Sequence, residues 1–279
     1  MKRKSHVFAA ISAFALALFG CDASSTPTVT GQFSVTALDV GKADALILKT
    51  TNHALVLDTG NKGDGKDIEK YLEKNGISKL DALIITHFDK DHVGGAARLV
   101  NRMEIEKIYL PDYTGTTEEY AAFQEKLAES SVTPDIIPMN SETSWVFDDV
   151  SFSLESAHKD YYGKNEENDF SLCLYAKHGA NGFLFTGDAE EQRQTEIIAK
   201  KYEDVKFLKF PYHGNYLSTT EALLDAYTPE FVLVCCSKKE YAQDQTVITL
   251  ADRGISAHYT PDGPITYLSD GNKVSATDS

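Results

Sequence analysis

Hydrophobic and polar residues alternate along the chain in two kinds of segment. Short apolar runs predict strands, and segments with an apolar residue every three or four positions predict helices. The predicted strands are Phe33–Lys49, His53–Asp58, Leu80–Thr86, Ile105–Leu110, Ile136–Pro138, Trp145–Leu154, Ser171–His178, Gly182–Thr186, Val205–Phe210, Phe231–Cys236, His258–Thr260 and Ile265–Leu268. The predicted helices are Lys66–Asn75, Gly94–Asn101, Thr117–Ser130, Ala189–Lys201, Thr219–Ala226 and Gln245–Arg253. Strand runs followed by helices, repeated in two halves without a long linker, predict one layered α/β domain.

The first thirty residues differ from the rest of the chain. Lys2, Arg3 and Lys4 precede a charge-free stretch of 14 residues from Val7 to Gly20. A basic head followed by a short apolar segment is typical of a secretory signal peptide, predicted here as residues 1–20. At about 1.5 Å per residue the stretch is shorter than the hydrocarbon core of about 30 Å, so a transmembrane anchor is the less favoured alternative.

The end of this segment, Leu18-Phe19-Gly20-Cys21, resembles a bacterial lipobox, in which the cysteine is acylated and becomes the new N-terminus. The resemblance implies a lipoprotein that Cys21 anchors to the extracytoplasmic face of a membrane. A secreted protein without an anchor is the alternative. Residues 21–31 are small and polar and predict a flexible tether, followed by a single domain over residues 32–275.

Acidic residues outnumber basic ones, with 42 Asp and Glu against 27 Lys and Arg and a formal charge of −15. Removal of residues 1–20 takes away three positive charges and no acid, which leaves 24 − 42 = −18. Such a balance disfavours general binding to nucleic acid or anionic lipid, which a basic surface would drive. We therefore expect the substrate to be recognised locally, at a site.

Four residues able to bind a metal follow the predicted strand Leu80–Thr86: His87, Asp89, Asp91 and His92. The glycine pair that comes next, Gly94-Gly95, allows the sharp turn and close backbone approach that would bring them together. Imidazole and carboxylate groups suit Zn²⁺, Mn²⁺ or Fe²⁺, and each added carboxylate shifts the preference towards harder ions. The segment predicts a metal site, and a solvated polar loop is the alternative.

This segment resembles the His-x-His-x-Asp-His signature of metallo-β-lactamase-fold hydrolases, with Asp89 in place of the second histidine. The segments VLDTG (56–60), FTGDAE (185–190) and FPYHGN (210–215) resemble further motifs of that family, in the family's order. The runs LDVGKADA (38–45) and NDFSL (168–172) resemble the ComEC-like branch, related to the hydrolase domain of DNA-uptake competence proteins. The resemblance covers nearly the whole predicted mature chain and implies a four-layer αββα sandwich.

The resemblance also implies a binuclear site for two divalent ions, Zn²⁺, Mn²⁺ or Mg²⁺. It assigns His87 and Asp89 to the first ion, Asp91, His92 and His213 to the second, and Asp188 to a bridge between them. Two such ions about 3.5–4 Å apart would lower the pKa of a bridging water and give hydroxide at neutral pH. Asp91 and Asp188 are the predicted catalytic carboxylates, and Asp91 could receive the proton of the nucleophile. Asp58 is expected to fix the ligand loop by hydrogen bonds.

Three residues are candidate substrate contacts. Lys42 replaces a glutamine usual in this branch and could meet an anionic substrate, although a solvated lysine is equally expected. Tyr212 could donate a proton to a leaving group, or could simply pack. Ser218 could contact phosphate, or could cap the helix that follows.

The resemblance implies an extracytoplasmic metal-dependent hydrolase acting on a phosphodiester or nucleic-acid-type substrate. The acidic charge favours a small or single-stranded substrate. Two alternatives stay open: a hydrolase of a carboxylic ester, thioester or lactam, and a catalytically silent metal-binding lipoprotein. No protein partner is implied.

The first predicted site is poorer in nitrogen than the second, because Asp89 replaces a histidine and Glu167, Asn168 and Asp169 stand where many relatives supply another. We expect this site to bind its ion more weakly, to favour Mn²⁺ or Mg²⁺ over Zn²⁺, or to fill only with substrate. Metal analysis after mild chelation tests this expectation. Two tightly held zinc ions per chain would contradict it.

Overall fold

The computed structural model describes residues 31–163 and 166–278. The predicted signal peptide, the acylated Cys21 and the tether up to residue 30 lie outside the described residues. Within the described ranges, none of the helices is both long and apolar enough to span a bilayer.

The described residues form fifteen strands and seven helices. The strands are β1 (Phe33–Ala37), β2 (Leu46–Lys49), β3 (Ala54–Leu57), β4 (Lys79–Ile84), β5 (Glu104–Pro111), β6 (Asp135–Ile137), β7 (Glu142–Phe147), β8 (Val150–Glu155), β9 (Cys173–His178), β10 (Asn181–Phe185), β11 (Val205–Lys209), β12 (Phe231–Val234), β13 (Ser256–Tyr259), β14 (Ile265–Ser269) and β15 (Val274–Asp278). The helices are α1 (Gly65–Lys74), α2 (Lys90–Val93), α3 (Ala96–Arg102), α4 (Glu118–Glu129), α5 (Glu191–Lys200), α6 (Thr220–Tyr227) and α7 (Asp244–Asp252).

The strands are arranged in two sheets. The first has the order β15-β14-β1-β2-β3-β4-β5-β6, and the second has the order β13-β12-β11-β10-β9-β8-β7. Each sheet is antiparallel on one side and parallel on the other: β3 to β6 run parallel in the first sheet, and β10 to β13 in the second. The parallel part of each sheet is where loops from several strands can meet at one edge.

Apolar side chains fill the space between the two sheets and the space under the helices. Aromatic residues of both sheets, such as Phe33 and Phe183 with ring centroids 4.9 Å apart, meet in the central layer. Helices α1, α3 and α4 bury residues against the outer face of the first sheet. Helices α5, α6 and α7 do the same on the second. The predicted four-layer αββα sandwich is therefore confirmed.

Two of the predicted strands are wrong, because each is divided into two strands in the structure. The strand predicted over Phe33–Lys49 is interrupted by the loop of residues 38–45, where Gly41 has a φ of +78° that a strand does not allow. The strand predicted over Trp145–Leu154 is a hairpin that turns at Asp148, with a φ of +52°. The Asp148 carboxylate accepts hydrogen bonds from Thr50 and Asn52, which ties the hairpin to the first sheet.

Apart from the two divided strands, the described residues contain one strand that was not predicted. Strand β15 pairs with β14 and extends to Asp278, beyond the predicted domain end at residue 275. Its residues after Val274 are exposed, so no apolar run marks the strand. Elsewhere the predicted elements are present with small shifts at their ends. For example, the helix predicted over Thr117–Ser130 is α4, and Thr117 caps it by accepting a hydrogen bond from the Tyr120 amide.

Candidate metal centre

The loop after β4 carries the predicted ligands into the interior. Its conformation is fixed by Thr59, whose amide and hydroxyl both donate to the carbonyl of His92, at 2.7 and 2.8 Å. A Cβ atom on Gly94 would lie 2.3 Å from the Lys90 carbonyl oxygen, and one on Gly95 would lie 2.4 Å from that of Thr59. Only glycine allows such close approach, which is the physical reason for the glycine pair.

The structure brings five of the six predicted ligands together: His87, Asp91, His92, Asp188 and His213. The Nε2 atom of His213 lies 2.8 Å from Asp188 Oδ2 and 3.2 Å from Asp91 Oδ2. The Nε2 atom of His92 lies 3.4 Å from the same oxygen of Asp188. Asp188 follows β10 and His213 follows β11, so the ends of parallel strands in the second sheet meet the ligand loop of the first.

The three histidines share one hydrogen-bonding pattern. The Nδ1 atom of His92 donates to Asp58, and that of His213 donates to the Cys235 carbonyl. The Thr86 hydroxyl gives its only proton to Asp58, so it accepts from the Nδ1 atom of His87 at 3.0 Å. In each ring the Nε2 atom is therefore left to bind something else.

That Nε2 atom is buried in all three rings and, among the described residues, has no partner in hydrogen-bond geometry. A buried nitrogen left in this way is costly unless a cation binds it. Metal-binding histidines characteristically donate their other ring N–H to a carboxylate or a carbonyl. The side chains present therefore fit a divalent cation.

Asp58 makes three hydrogen bonds at the centre. Its oxygens accept from the amide and the hydroxyl of Thr86, both at 2.8 Å, and from His92 at 2.9 Å. Asp58 directly follows β3 with a φ of +57°, an unusual conformation that directs the carboxylate across to the end of β4. Asp58 therefore links the ends of β3 and β4 and fixes the ring of His92.

The predicted ligand Asp89 stands apart from the other five. Its carboxylate is 38% exposed, and its Oδ2 atom lies 3.8 Å from His87 Nε2. Partial burial and the neighbouring carboxylates of Glu167 and Asp91 raise the pKa of Asp89 to about 6. The Oε2 atom of Glu167 and the Oδ1 atom of Asn168 are buried without a hydrogen bond in the described part of the chain. They are therefore further candidate oxygen ligands for a metal ion on the Asp89 side of the centre.

Charged side chains in the centre attract one another strongly. Burial would lower the pKa of His213, but the carboxylates of Asp188 and Asp91 outweigh it and raise that pKa to about 9. Burial would raise the pKa of Asp188, yet His213, His92 and Lys209 hold it well below its usual value. His87 behaves differently: burial, helped by the charge of His92, lowers its pKa to about 3, so its ring is neutral at physiological pH.

Two buried residues of the centre are absent from the sequence-based prediction. Asp44 comes from the loop of residues 38–45, and Lys209 is the last residue of β11. The Lys209 ammonium binds the Asp44 carboxylate, the Gly187 carbonyl at 2.9 Å and Asp188 Oδ1 at 3.2 Å. The available signals were the acid in the run LDVGKADA and a lysine at the end of an apolar strand.

The three candidate substrate contacts lie in different surroundings. Tyr212 is half-buried, and burial together with the nearby carboxylates of Glu190 and Asp188 raises its pKa. The side chain of Lys42 is one-third exposed, and its Nζ atom lies 3.8 Å from Glu240 Oε1. Ser218 is exposed in the loop before α6. Tyr212 is thus close to the centre, and the roles of all three remain predictions.

A two-sheet sandwich covered by helices, with histidines and carboxylates at the ends of its parallel strands, defines a metal-binding hydrolase fold. The metallo-beta-lactamase superfamily model matches residues 38–237, and the chain belongs to this superfamily. Members of the superfamily are usually hydrolases, and the fold implies that divalent metal is bound.

Relatives and solved structures agree with this assignment. Recombination protein 2 of Haemophilus influenzae is 26% identical over 207 residues, which cover 72% of this chain and 24% of that protein. ComE operon protein 3 of Bacillus subtilis is 22% identical over 250 residues, covering 81% and 31%. These relatives support the ComEC-like branch, and the chain spans less than a third of their length. The metallo-beta-lactamase fold protein YhfI from Bacillus subtilis has the same fold, with a TM-score of 0.56, 11% identity and coverage of 86% of this chain and 100% of that one.

Replacement of Asp58 by alanine tests its supporting role. We expect D58A to lose about 10- to 100-fold in Mn²⁺ affinity, because His92 and the Thr86 amide lose their common partner. Titration calorimetry measures the change. D81A is a matched control, since Asp81 also accepts bonds from a histidine and an amide, His53 and Ala54, in the same sheet. An unchanged Mn²⁺ affinity in folded D58A would show that Asp58 does not support the site.

Proposed function

We propose that the protein is a binuclear metal-dependent hydrolase of phosphodiester or nucleic-acid-type substrates. The observation that carries the proposal is the set of three buried Nε2 atoms, each without a hydrogen bond in the part of the chain that the structure describes, around the carboxylates of Asp188 and Asp91. When bound, divalent ions would supply Lewis-acid polarisation of a substrate oxygen and lower the pKa of a coordinated water.

Asp91 is the residue best suited to move a proton. Burial would raise its pKa, but the neighbouring His213 and the charge of His92 outweigh burial and hold the pKa below its usual value, so Asp91 is ionised at neutral pH. Its carboxylate is 21% exposed, whereas that of Asp188 is buried. An ionised and accessible carboxylate can orient an attacking water and accept its proton.

Tyr212 is the candidate donor to the leaving group. Its raised pKa keeps the phenol protonated, and four carboxylates, those of Glu190, Asp188, Asp89 and Asp91, act on it. A protonated phenol at the edge of the centre can donate a hydrogen bond to a departing alkoxide. Tyr212 would therefore complement Asp91, with one group accepting a proton and the other providing one.

The surroundings of the centre favour a small or single-stranded substrate over duplex nucleic acid. Lys209 is buried against carboxylates, and Lys42 lies beside Glu240, so neither offers a free charge to a polyanion. Glu167 and Glu190 add negative charge near the centre. Long-range attraction of a polyanion needs a basic surface. The similarity to proteins named for recombination and for the ComE operon supports the phosphodiester class.

Hydrolysis of bis-p-nitrophenyl phosphate by the Mn²⁺-loaded full chain tests the proposal. We expect turnover, and we expect D91N to lose about 100-fold or more in kcat at saturating Mn²⁺ because the proton acceptor is lost. D112N, which changes an exposed aspartate, serves as the control. Turnover of a chromogenic β-lactam alone would favour the ester or lactam alternative. A protein inert with every divalent ion would favour a silent metal-binding lipoprotein.

We also propose that the protein works outside the cytoplasm, anchored to a membrane through Cys21. The support is the basic head, the short apolar stretch and the Leu-Phe-Gly-Cys sequence at residues 18–21. Acylation with two or three chains would give stable anchoring, whereas one chain alone is marginal.

Replacement of Cys21 by serine tests this location. We expect the wild-type protein in the membrane fraction, and C21S in the soluble extracytoplasmic fraction or retained with its signal peptide. Mass spectrometry of the mature N-terminus measures the lipid directly. A wild-type N-terminus without lipid would contradict the anchor.

A further inference from the structure

A buried ion pair adjoins the metal centre without belonging to the predicted ligand set. Asp44 and Lys209 are each 1% exposed. The Lys209 ammonium has three partners: the Asp44 carboxylate, the Gly187 carbonyl and Asp188 Oδ1. An ammonium has three protons to donate, so all of its bonds are made inside this cluster. Burying a charge is costly unless it is paired, so the three contacts of the ammonium mark the pair as a specific feature, while Asp44 Oδ1 has no hydrogen bond within the described residues.

The ion pair divides the two oxygens of Asp188 between different partners. Oδ1 faces Lys209, at 3.2 Å. Oδ2 faces the Nε2 atoms of His213 and His92, at 2.8 and 3.4 Å. The Asp188 amide donates to Ser171 Oγ at 3.1 Å, which fixes the backbone of the residue. Lys209 therefore determines which oxygen of Asp188 is turned towards the histidines.

We propose that Lys209 and Asp44 are positioning residues of the metal centre. Lys209 holds Asp188 so that one oxygen alone is presented to a cation, and Asp44 neutralises Lys209 so that its ammonium does not compete with that cation. The inference rests on the metal binding of the proposed function and adds two residues that touch Asp188 but take no part in the predicted coordination.

Because their charges are opposite, Asp44 and Lys209 are expected to have opposite effects on cation binding at the centre. With neutral histidines, the carboxylates of Asp44, Asp58, Asp89, Asp91 and Asp188 and the ammonium of Lys209 sum to −5 + 1 = −4, and Glu167 and Glu190 add further negative charge nearby. Without the Asp44 charge the ammonium would act wholly on Asp188 and oppose a cation. Without Lys209 the Asp44 carboxylate would be free, and its oxygen lies within 4.8 Å of ligand atoms of Asp188 and His213.

Mn²⁺ binding by two single variants of the full chain tests the proposal. We expect D44N to bind Mn²⁺ about tenfold or more weakly than wild type, and K209M to bind it at least as tightly as wild type. We also expect K209M to lose about tenfold or more in kcat on bis-p-nitrophenyl phosphate at saturating Mn²⁺, because Asp188 is no longer held. A merely structural ion pair would give both variants the same direction of change in Mn²⁺ affinity.

The double variant D44N/K209M completes the cycle, because it restores the charge balance of the wild-type centre. We expect it to recover most of the Mn²⁺ affinity that D44N loses. E69Q is the control for loss of a buried acid, since Glu69 pairs with Arg98 and Arg102 on the helices and not with the centre. It should lower the melting temperature and leave Mn²⁺ affinity unchanged.

The results separate the inference from the proposed function. Wild-type protein that binds no divalent ion would overturn the proposed function, and this inference with it. Wild-type binding with weaker Mn²⁺ affinity in both single variants, or with D44N unchanged, would overturn the inference alone. If K209M does not fold, the double variant decides: affinity recovered relative to D44N supports the inference, and affinity as weak as that of D44N overturns it.

Discussion

Mutual repulsion among carboxylates is the constraint on which the rest of this structure depends. Asp44, Asp58, Asp91 and Asp188 come from four different segments and converge on one small, largely buried region, with Asp89 at its edge. Like charges at such distances in a medium of low polarity repel one another strongly, so the arrangement requires compensating cations. One cation is built into the chain as Lys209, and hydrogen bonds fix the histidine rings that would receive the others. The fold brings the acids together, and the chemistry of the centre follows from that arrangement.

The αββα sandwich supplies this convergence because each sheet ends its parallel strands at the same edge. The first sheet contributes Asp58 and the ligand loop, and the second contributes Asp188, Lys209 and His213. The helices on the outer faces bury apolar side chains and leave that edge to loops. Rigid strands thus set the distances between groups, and glycines permit the close packing of the loops. The features of the metallo-β-lactamase superfamily are therefore clearer in the residues at this edge than in the overall sequence identity to relatives.

Five of the six predicted ligands lie together in the structure, and they could be proposed from the sequence because most of them are local. His87, Asp89, Asp91 and His92 lie within six consecutive positions, and Asp188 and His213 each follow an apolar strand. Asp44 and Lys209 were missed because their significance lies in a contact between residues far apart in the chain, which the local signals, an acid in the run LDVGKADA and a lysine that ends an apolar strand, do not reveal. Similarly, the hairpin within Trp145–Leu154 is held by bonds that Asp148 accepts from Thr50 and Asn52, residues about a hundred positions earlier that no window of neighbouring residues contains. Strand β15 was missed because an exposed edge strand needs no apolar run.

The backbone at Tyr212, His213 and Gly214 has φ values of +48°, +52° and +83°, a left-handed succession that two residues with side chains rarely adopt. Bonds from the residue after β12 and from the start of α7 hold it there: the Cys235 carbonyl accepts from His213, and the Gly214 carbonyl accepts from the Gln243 amide and the Thr246 hydroxyl. A chain that ends before α7 keeps the Cys235 bond but lacks both bonds to the Gly214 carbonyl, so this strained turn loses two of its restraints. The predicted metal centre thus depends on α7, whose residues lie outside the predicted ligand set.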